Sequence, residues 1–80
     1  MPQFAFTAYF EFHVLLRRPY LRREWCVQTV MNPVREEIQP DGRVRFWRPI
    51  PDLGGRVLRV VTLPDRTTIH NAFLDRRFKP

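Results

Sequence analysis

Three tight-turn signals divide the second half of the chain, and they constrain the fold more than any other feature. They are Pro40-Asp41-Gly42, Pro51-Asp52-Leu53-Gly54-Gly55 and Pro64-Asp65-Arg66. Proline presets the backbone before a turn, and glycine accepts the positive φ that tight hairpins require. Connections this short join antiparallel neighbours, because a parallel crossover needs about a dozen residues or more. The signals therefore predict an antiparallel sheet.

Between and around these turns lie four strand-like runs, residues 34–39, 43–50, 56–63 and 67–74. The run 56–63 has apolar residues on both alternating faces, which is typical of a strand buried on both sides. We therefore expect it in the interior of the sheet. In the run 43–50, Val44 and Phe46 are expected to face the core, and Arg43 and Arg45 to face outward.

The N-terminal segment alternates in a way that predicts a first strand. The apolar series is Phe4, Phe6, Ala8, Phe10, Phe12 and Val14, and the alternate positions hold Ala5, Thr7, Tyr9, Glu11 and His13. A period of two indicates a strand with its phenylalanines on the buried face. Pro19 suits the first turn of a helix over about residues 19–31, with Tyr20, Val27, Val30 and Met31 on one face. Asn32-Pro33 ends that helix.

These elements predict a single domain over residues 1–80 of the α+β class. We expect one strand, one helix, then a four-stranded antiparallel meander with the helix packed on one face. The lone Cys26 excludes an intramolecular disulfide, and its apolar surroundings predict a buried thiol. No export signal or apolar run of membrane-spanning length is visible, so a cytoplasmic location is expected.

The cationic residues are almost all arginine. Lysine occurs once, at Lys79, among 14 lysines and arginines, and the formal net charge is +6. Guanidinium groups fork onto phosphates and stack on flat rings, whereas ammonium groups are solvated point charges. The composition favours a polyanionic partner, with RNA as the first candidate, although arginine-rich codon usage in a GC-rich or thermophilic genome gives the same bias.

Several kinds of chemistry have no support in the sequence. The chain contains no serine, which excludes a serine nucleophile, and it has no glycine-rich phosphate loop. The two histidines and the scattered acids do not follow the spacing of a metal-ligand motif. We therefore expect neither a metal nor a cofactor.

The segment 69–76 carries the densest set of reactive side chains, namely His70, Asn71, Asp75 and Arg76. Such a set can grip a phosphodiester. Histidine transfers the proton, arginine stabilises the phosphate charge, and the amide and carboxylate orient both. A structural alternative is that Asp75 pairs with Arg76 or Arg59 and fixes the C-terminus.

Four further residues complete the predicted site. Arg59 interrupts the central apolar strand, so it must either pair or open onto a groove. Trp47 lies between arginines and can either stack on a base or cover the open side of the sheet. His13 and Arg17 are expected to reach the same rim from the N-terminal segment. We therefore predict one pocket for an anionic ligand, with His70, His13, Arg59 and Arg76 as catalytic candidates, and with Arg17, Asn71, Asp75 and Trp47 as substrate-binding candidates.

The order of these features resembles the RelE/ParE-like toxin superfamily, and its small BrnT-like members in particular. The resemblance rests on an early strand reaching His13, the stretch Val14-Leu15-Leu16-Arg17-Arg18-Pro19, a helix ending Val30-Met31-Asn32-Pro33, and the four-run meander. It implies an endonuclease for messenger RNA, acting with or without the ribosome and neutralised by an acidic antitoxin protein. His13, Arg17, Arg59, His70 and Arg76 match the family only in character. The predicted single helix differs from the two-helix hairpin of many members.

Three functional hypotheses follow. The first is a toxin-like endoribonuclease that inhibits translation. The second is a non-enzymatic module that binds RNA or an acidic protein through its arginines. The third is a gyrase-poisoning toxin of the same fold.

Overall fold

The computed structural model describes residues 3–79, which form a five-stranded sheet with two helical segments. The strands run in the spatial order β1-β5-β4-β3-β2. The elements, in chain order, are β1 (Ala5–Phe6), α1 (a π-helical turn Phe10–Val14 continued by an α-helical turn Leu15–Arg17), α2 (Arg23–Met31), β2 (Arg35–Ile38), β3 (Val44–Ile50), a short 3-10 turn (Pro51–Leu53), β4 (Arg56–Thr62) and β5 (Thr68–Leu74).

Strands β2 to β5 pair as consecutive antiparallel neighbours, joined by the three turns that the sequence indicates. Gly42 and Gly54 have φ angles of 91° and 69°, which glycine adopts without the steric cost that a Cβ imposes. Strand β4 lies at the centre of the sheet, and Leu58 and Val60 on it are fully buried. The prediction of an interior strand is confirmed.

The prediction of a long N-terminal strand is wrong beyond Phe6. Strand β1 has two residues and pairs in parallel with β5, after which the chain becomes helical. Phe10 and Val14 are buried, whereas Phe12 is 65% exposed. Residues four apart share a face in both a strand and a helix, so the spacing of Phe6, Phe10 and Val14 fits either structure. The exposed Phe12 between them shows that the segment is a helix.

The helix predicted over residues 19–31 is shorter than expected. Helix α2 begins at Arg23, because Pro19 and Tyr20 lie in the turn that follows α1, and it ends at Met31. Its buried residues are Trp25, Cys26 and Thr29. Of the predicted apolar face, Val27 and Val30 pack partly buried against the core, whereas Tyr20 and Met31 are exposed, so that prediction is only partly correct. Burial raises the pKa of the Cys26 thiol to about 12, which confirms the expected buried thiol.

The class is α+β, but the predicted arrangement of one strand, one helix and a four-stranded antiparallel meander is wrong in two respects. The sheet has a fifth, parallel strand, and two helical segments precede the meander. The core lies between the helices and one face of the sheet. It contains Phe10, Val14, Leu21, Trp25, Cys26, Ile50, Leu58, Val60, Ile69 and Ala72. Within residues 3–79, no helix has the length and apolar character needed to span a membrane.

Candidate nucleic-acid interface

The sheet face turned away from the helices, here called the open face, carries a row of arginine and aromatic side chains. The strand register places Arg35 opposite Trp47, Trp47 opposite Arg59, and Arg59 opposite Phe73. Directly opposed residues have Cβ atoms about 4.5–5.5 Å apart on the same face. The register therefore aligns four alternating arginine and aromatic residues across four strands.

The side chains of this row stack as cation–π pairs. The guanidinium carbon of Arg59 lies 5.0 Å from the Phe73 ring centre and 5.6 Å from that of Trp47. Arg35 lies 5.7 Å from the Trp47 ring, and Arg18, just after α1, lies 5.9 Å from the Phe73 ring. Such contacts fix the orientation of each guanidinium. We call Arg18, Phe73, Arg59, Trp47 and Arg35 the arginine–aromatic row.

Asp75 fastens the centre of the row. Its carboxylate accepts a hydrogen bond from Trp47 Nε1 at 2.9 Å and another from the Arg77 backbone N–H at 3.0 Å, and it lies 3.9 Å from Arg59 Nη1. The Trp47 bond is the main reason that the pKa of Asp75 lies below its usual value, and the Arg77 N–H and the Arg59 charge add to it. Of the two interpretations of Asp75 given above, the structural one, in which it pairs with Arg59, is therefore the one observed.

The open face remains rich in positive charge after these pairs are formed. Arg45 stands beside the row, 3.9 Å from Glu37, and Glu37 also contacts Arg35 at 3.0 Å. Burial, followed by the charge of Arg45, lowers the pKa of Arg59, although a guanidinium stays protonated in proteins. Among residues 3–79, no side chain or backbone group accepts from the buried Nε atoms of Arg45 and Arg59. These cations are thus crowded together and incompletely satisfied.

A second cluster lies where β1 meets β5. His70 Nδ1 is 3.0 Å from Thr7 Oγ1, which also accepts the backbone N–H of Phe10 at the start of α1. The Tyr9 ring stacks on His70 at 4.9 Å and on His13 at 5.5 Å between ring centres. Burial, with a smaller contribution from the charge of Arg43, lowers the pKa of His70. His70 is therefore neutral near pH 7. We call Thr7, Tyr9, His13 and His70 the imidazole cluster.

The predicted site residues fall into two groups rather than one pocket. His13 and His70 meet through Tyr9, and Arg59 and Trp47 meet at Asp75, just after β5. Five residue steps along the chain separate His70 from Asp75, a distance of at most about 16 Å.

The other three predicted residues join neither group. Arg76 lines a cleft of about 400 Å³ beside Arg56 and Phe78. Arg17 is exposed at the end of α1, and the Asn71 side chain accepts from the Ala72 backbone N–H. Among residues 3–79, no side-chain hydrogen bond, ion pair or cation–π contact joins these three to the arginine–aromatic row or the imidazole cluster, although Asp75 lines the same cleft as Arg76.

Sequence reasoning missed five residues of these clusters: Thr7, Tyr9, Arg18, Arg35 and Phe73. Pairing the strand-like runs outward from the turns would have placed Arg35 in line with Trp47 and Arg59. Phe73 could not have been found in this way, because it lies opposite Arg59 only through the register shift between Val61 and Thr62. The spacing of four between Tyr9 and His13 fits a helix face as well as a strand face. Tyr9 would therefore have been paired with His13 on either interpretation.

Within the described residues, no group of three or more histidine, cysteine or acidic side chains is arranged to hold a metal ion. No protein-family model, curated protein or solved structure matches the chain. The resemblance to RelE/ParE-like toxins stays a prediction, and the chemistry of the two clusters rests on their own geometry.

Proposed function

We propose that this protein binds single-stranded RNA across the open face of its sheet. The observation that carries the proposal is the arginine–aromatic row, which alternates cations with rings over four adjacent strands. Strands lie about 4.8 Å apart, so the four-strand part of the row is about 14 Å long. Proteins that bind single strands combine a positive surface for phosphates with aromatic rings for bases.

The balance of charge supports a phosphate-bearing ligand. Four guanidiniums, from Arg18, Arg35, Arg45 and Arg59, stand on or beside the row, with Glu37 and Asp75 as the acids that contact them. Guanidinium forks fit phosphate oxygens in two-point hydrogen bonds. The side chains of Arg45 and Arg59 are 32% and 23% exposed, so parts of both remain accessible to a phosphate although their Nε atoms are buried. An acidic protein would supply charge but no bases to stack, so it explains the aromatic half of the row less well.

The test is the salt dependence of binding to a labelled single-stranded RNA, followed by fluorescence anisotropy. The logarithm of affinity should fall with the logarithm of salt, with a slope of about −0.7 per phosphate neutralised. Arg45→Ala should weaken binding and make the slope shallower by about one phosphate. Arg22→Ala is the matched control, because Arg22 lies before α2 on the helical side and should leave both quantities unchanged. Affinity that stays constant as salt rises would contradict the proposal.

A second function, cleavage of the bound RNA, is favoured by one specific observation: Tyr9 stacks on both imidazoles of the chain. In the tautomer that donates Nδ1–H to Thr7, His70 Nε2 is unprotonated and can take the proton of a ribose 2′-OH. The 2′-oxygen then bonds to the adjacent phosphorus while the bond from phosphorus to the 5′-oxygen breaks. His13 is the group that would return a proton to the departing 5′-oxygen. The products are a 2′,3′-cyclic phosphate and a 5′-hydroxyl.

This activity would make the protein a toxin-like endoribonuclease that inhibits translation and pairs with an acidic antitoxin. The test is induction in cells, followed by sequencing of RNA ends. His70→Ala should abolish cleavage and toxicity while the melting temperature stays within a few degrees of wild type. Toxicity without new 5′-hydroxyl ends would instead indicate a gyrase poison. Absence of both, with RNA binding intact, would indicate a non-enzymatic RNA-binding module.

A further inference from the structure

The C-terminal tail lies on the open face, where the proposed RNA strand would lie. After β5, Asp75 accepts the Arg77 backbone N–H at 3.0 Å, which turns the chain back over the sheet. The Phe78 ring then stacks on Trp47 with 5.8 Å between ring centres and 30° between ring planes. Arg35 contacts the Phe78 ring at 5.9 Å and donates to the Lys79 carbonyl at 3.4 Å. Trp47 is only 5% exposed in this arrangement.

We propose that Phe78 occupies a nucleobase-binding site, and that a base of single-stranded RNA displaces it from Trp47. The inference rests on the proposed RNA-binding function and adds to it the position of one base and a built-in competitor. A phenyl ring is flat and aromatic, as a nucleobase is, so the surface that accepts one accepts the other. The guanidiniums of Arg35 and Arg59 flank Trp47, where they can contact the phosphates on either side of a stacked base.

The tail is held weakly enough to be displaced. Phe78 lines a cleft of about 400 Å³ on one side, and on the other a cleft of about 440 Å³ that Val34 and Arg35 also line. The ring is thus open on two sides. Among the described residues, the last sheet-type hydrogen bond runs from Asp75 N–H to the Val57 carbonyl, so residues 76–79 lie outside the ladder. The contacts that hold Phe78 and Lys79 are the Trp47 stack, the two Arg35 contacts and a hydrogen bond from the Phe78 backbone N–H to the Asp75 carboxylate. Only the Trp47 stack and one Arg35 contact involve the Phe78 ring, so the ring can leave Trp47 without breaking the hydrogen bonds to Asp75.

The ligand must be single-stranded. In a duplex the bases are already stacked on their neighbours and paired, so none is available to lie on Trp47 without paying the energy of unstacking. A larger purine ring should cover more of the indole than a pyrimidine. We therefore expect oligoadenylate to bind more tightly than oligouridylate of the same length.

The experiment compares Phe78→Ala with wild type for binding to labelled oligoadenylate at fixed salt. Removing the competing ring should tighten binding roughly 2- to 10-fold, the range expected for loss of one aromatic pair. Phe78→Trp, which enlarges the competing ring, should weaken binding. Phe12→Ala is the matched control, because Phe12 is 65% exposed on α1 and belongs to neither the arginine–aromatic row nor the imidazole cluster, and it should leave affinity unchanged.

The outcomes separate this inference from the function on which it rests. Unchanged or weaker binding by Phe78→Ala, in a protein whose binding still depends on Arg45 and on salt, would overturn the displaced tail and leave RNA binding in place. Wild type that does not bind the oligonucleotide at all would overturn both. Should Phe78→Ala fail to fold, the weaker binding predicted for Phe78→Trp still decides the question, and equal or tighter binding by that variant would refute it.

Discussion

Replacing Asp75 by alanine should destabilise the fold more than any other substitution on the open face. Its carboxylate, only 15% exposed, accepts from Trp47 Nε1 and the Arg77 N–H and faces Arg59. Hydrogen bonds to a charged group contribute about 1.5–3 kcal/mol, and buried donors left without an acceptor add to the loss. We therefore expect the free energy of unfolding to fall by about 3 kcal/mol. In a domain of this size that corresponds to a drop of roughly 12–24 °C in melting temperature.

Thermal unfolding followed by circular dichroism measures this effect, and two variants bracket it. Asp75→Asn keeps an oxygen for the Trp47 N–H but loses the charge, so it should cost about 1 kcal/mol. Asp52→Ala removes an exposed carboxylate from the 3-10 turn and should change the free energy of unfolding by less than about 0.5 kcal/mol. If Asp75→Ala melts within a few degrees of wild type, Asp75 does not fasten the row, and our reasoning about it is wrong.

The same carboxylate predicts a direction for the pH dependence. The pKa of Asp75 is lowered in the folded protein, so its charge stabilises the fold above the unfolded value of about 3.9. That contribution is lost as the pH falls through the lower folded pKa. The difference in stability between wild type and Asp75→Asn should therefore be constant near neutral pH and vanish in acid. A difference that grows as the pH falls would contradict this assignment.

Three further predictions concern the core and the turns. Phe10→Ala should lower the free energy of unfolding by about 3–5 kcal/mol, and Phe12→Ala by less than about 0.5 kcal/mol, because only Phe10 is buried. Chemical denaturation measures both values. Equal losses would indicate that the segment is a strand with both rings buried. The Cys26 thiol should react with a thiol reagent only after denaturation, since it is fully buried with a pKa of about 12, and rapid labelling of native protein would contradict this. Gly54→Ala should lower the free energy of unfolding by about 1 kcal/mol, because the φ of 69° at this position disfavours a residue with a Cβ. The added Cβ itself would meet no atom within 4 Å. An unchanged stability would show that the turn adopts another conformation in the variant.

The sheet could be predicted from the sequence because its signals are local. Proline, aspartate and glycine fix each hairpin within a few residues, and the apolar pattern of residues 56–63 indicates a central strand without knowledge of its neighbours. The N-terminal segment could not be predicted in this way. Its apolar residues lie at spacings of four, which fit the period of a strand as well as that of a helix. Only packing against β5 decides between the two structures. The start of α2 depends likewise on how the chain turns at Pro19.

Several residues of the candidate site were predicted from the sequence, but their arrangement in space was not. Trp47, Arg59 and Asp75 were each recognised as unusual, yet their contact depends on the strand register and on the tail. His13 and His70 lie 57 positions apart in the sequence. They meet only because α1 starts directly after β1 and β1 pairs with β5. Long-range contacts of this kind leave no local pattern in a single sequence.

The most direct test of RNA binding on the open face is to map the contact surface by two-dimensional NMR of ¹⁵N-labelled protein during titration with single-stranded RNA. The two indole N–H signals provide an internal comparison, because Trp47 lies in the row, whereas Trp25 is a residue of α2 whose side chain lies in the core. The account predicts that the Trp47 indole and the backbone signals of Arg45, Arg59 and Phe73 shift, while the Trp25 indole does not. Shifts confined to the helical side, or none at all, would contradict it.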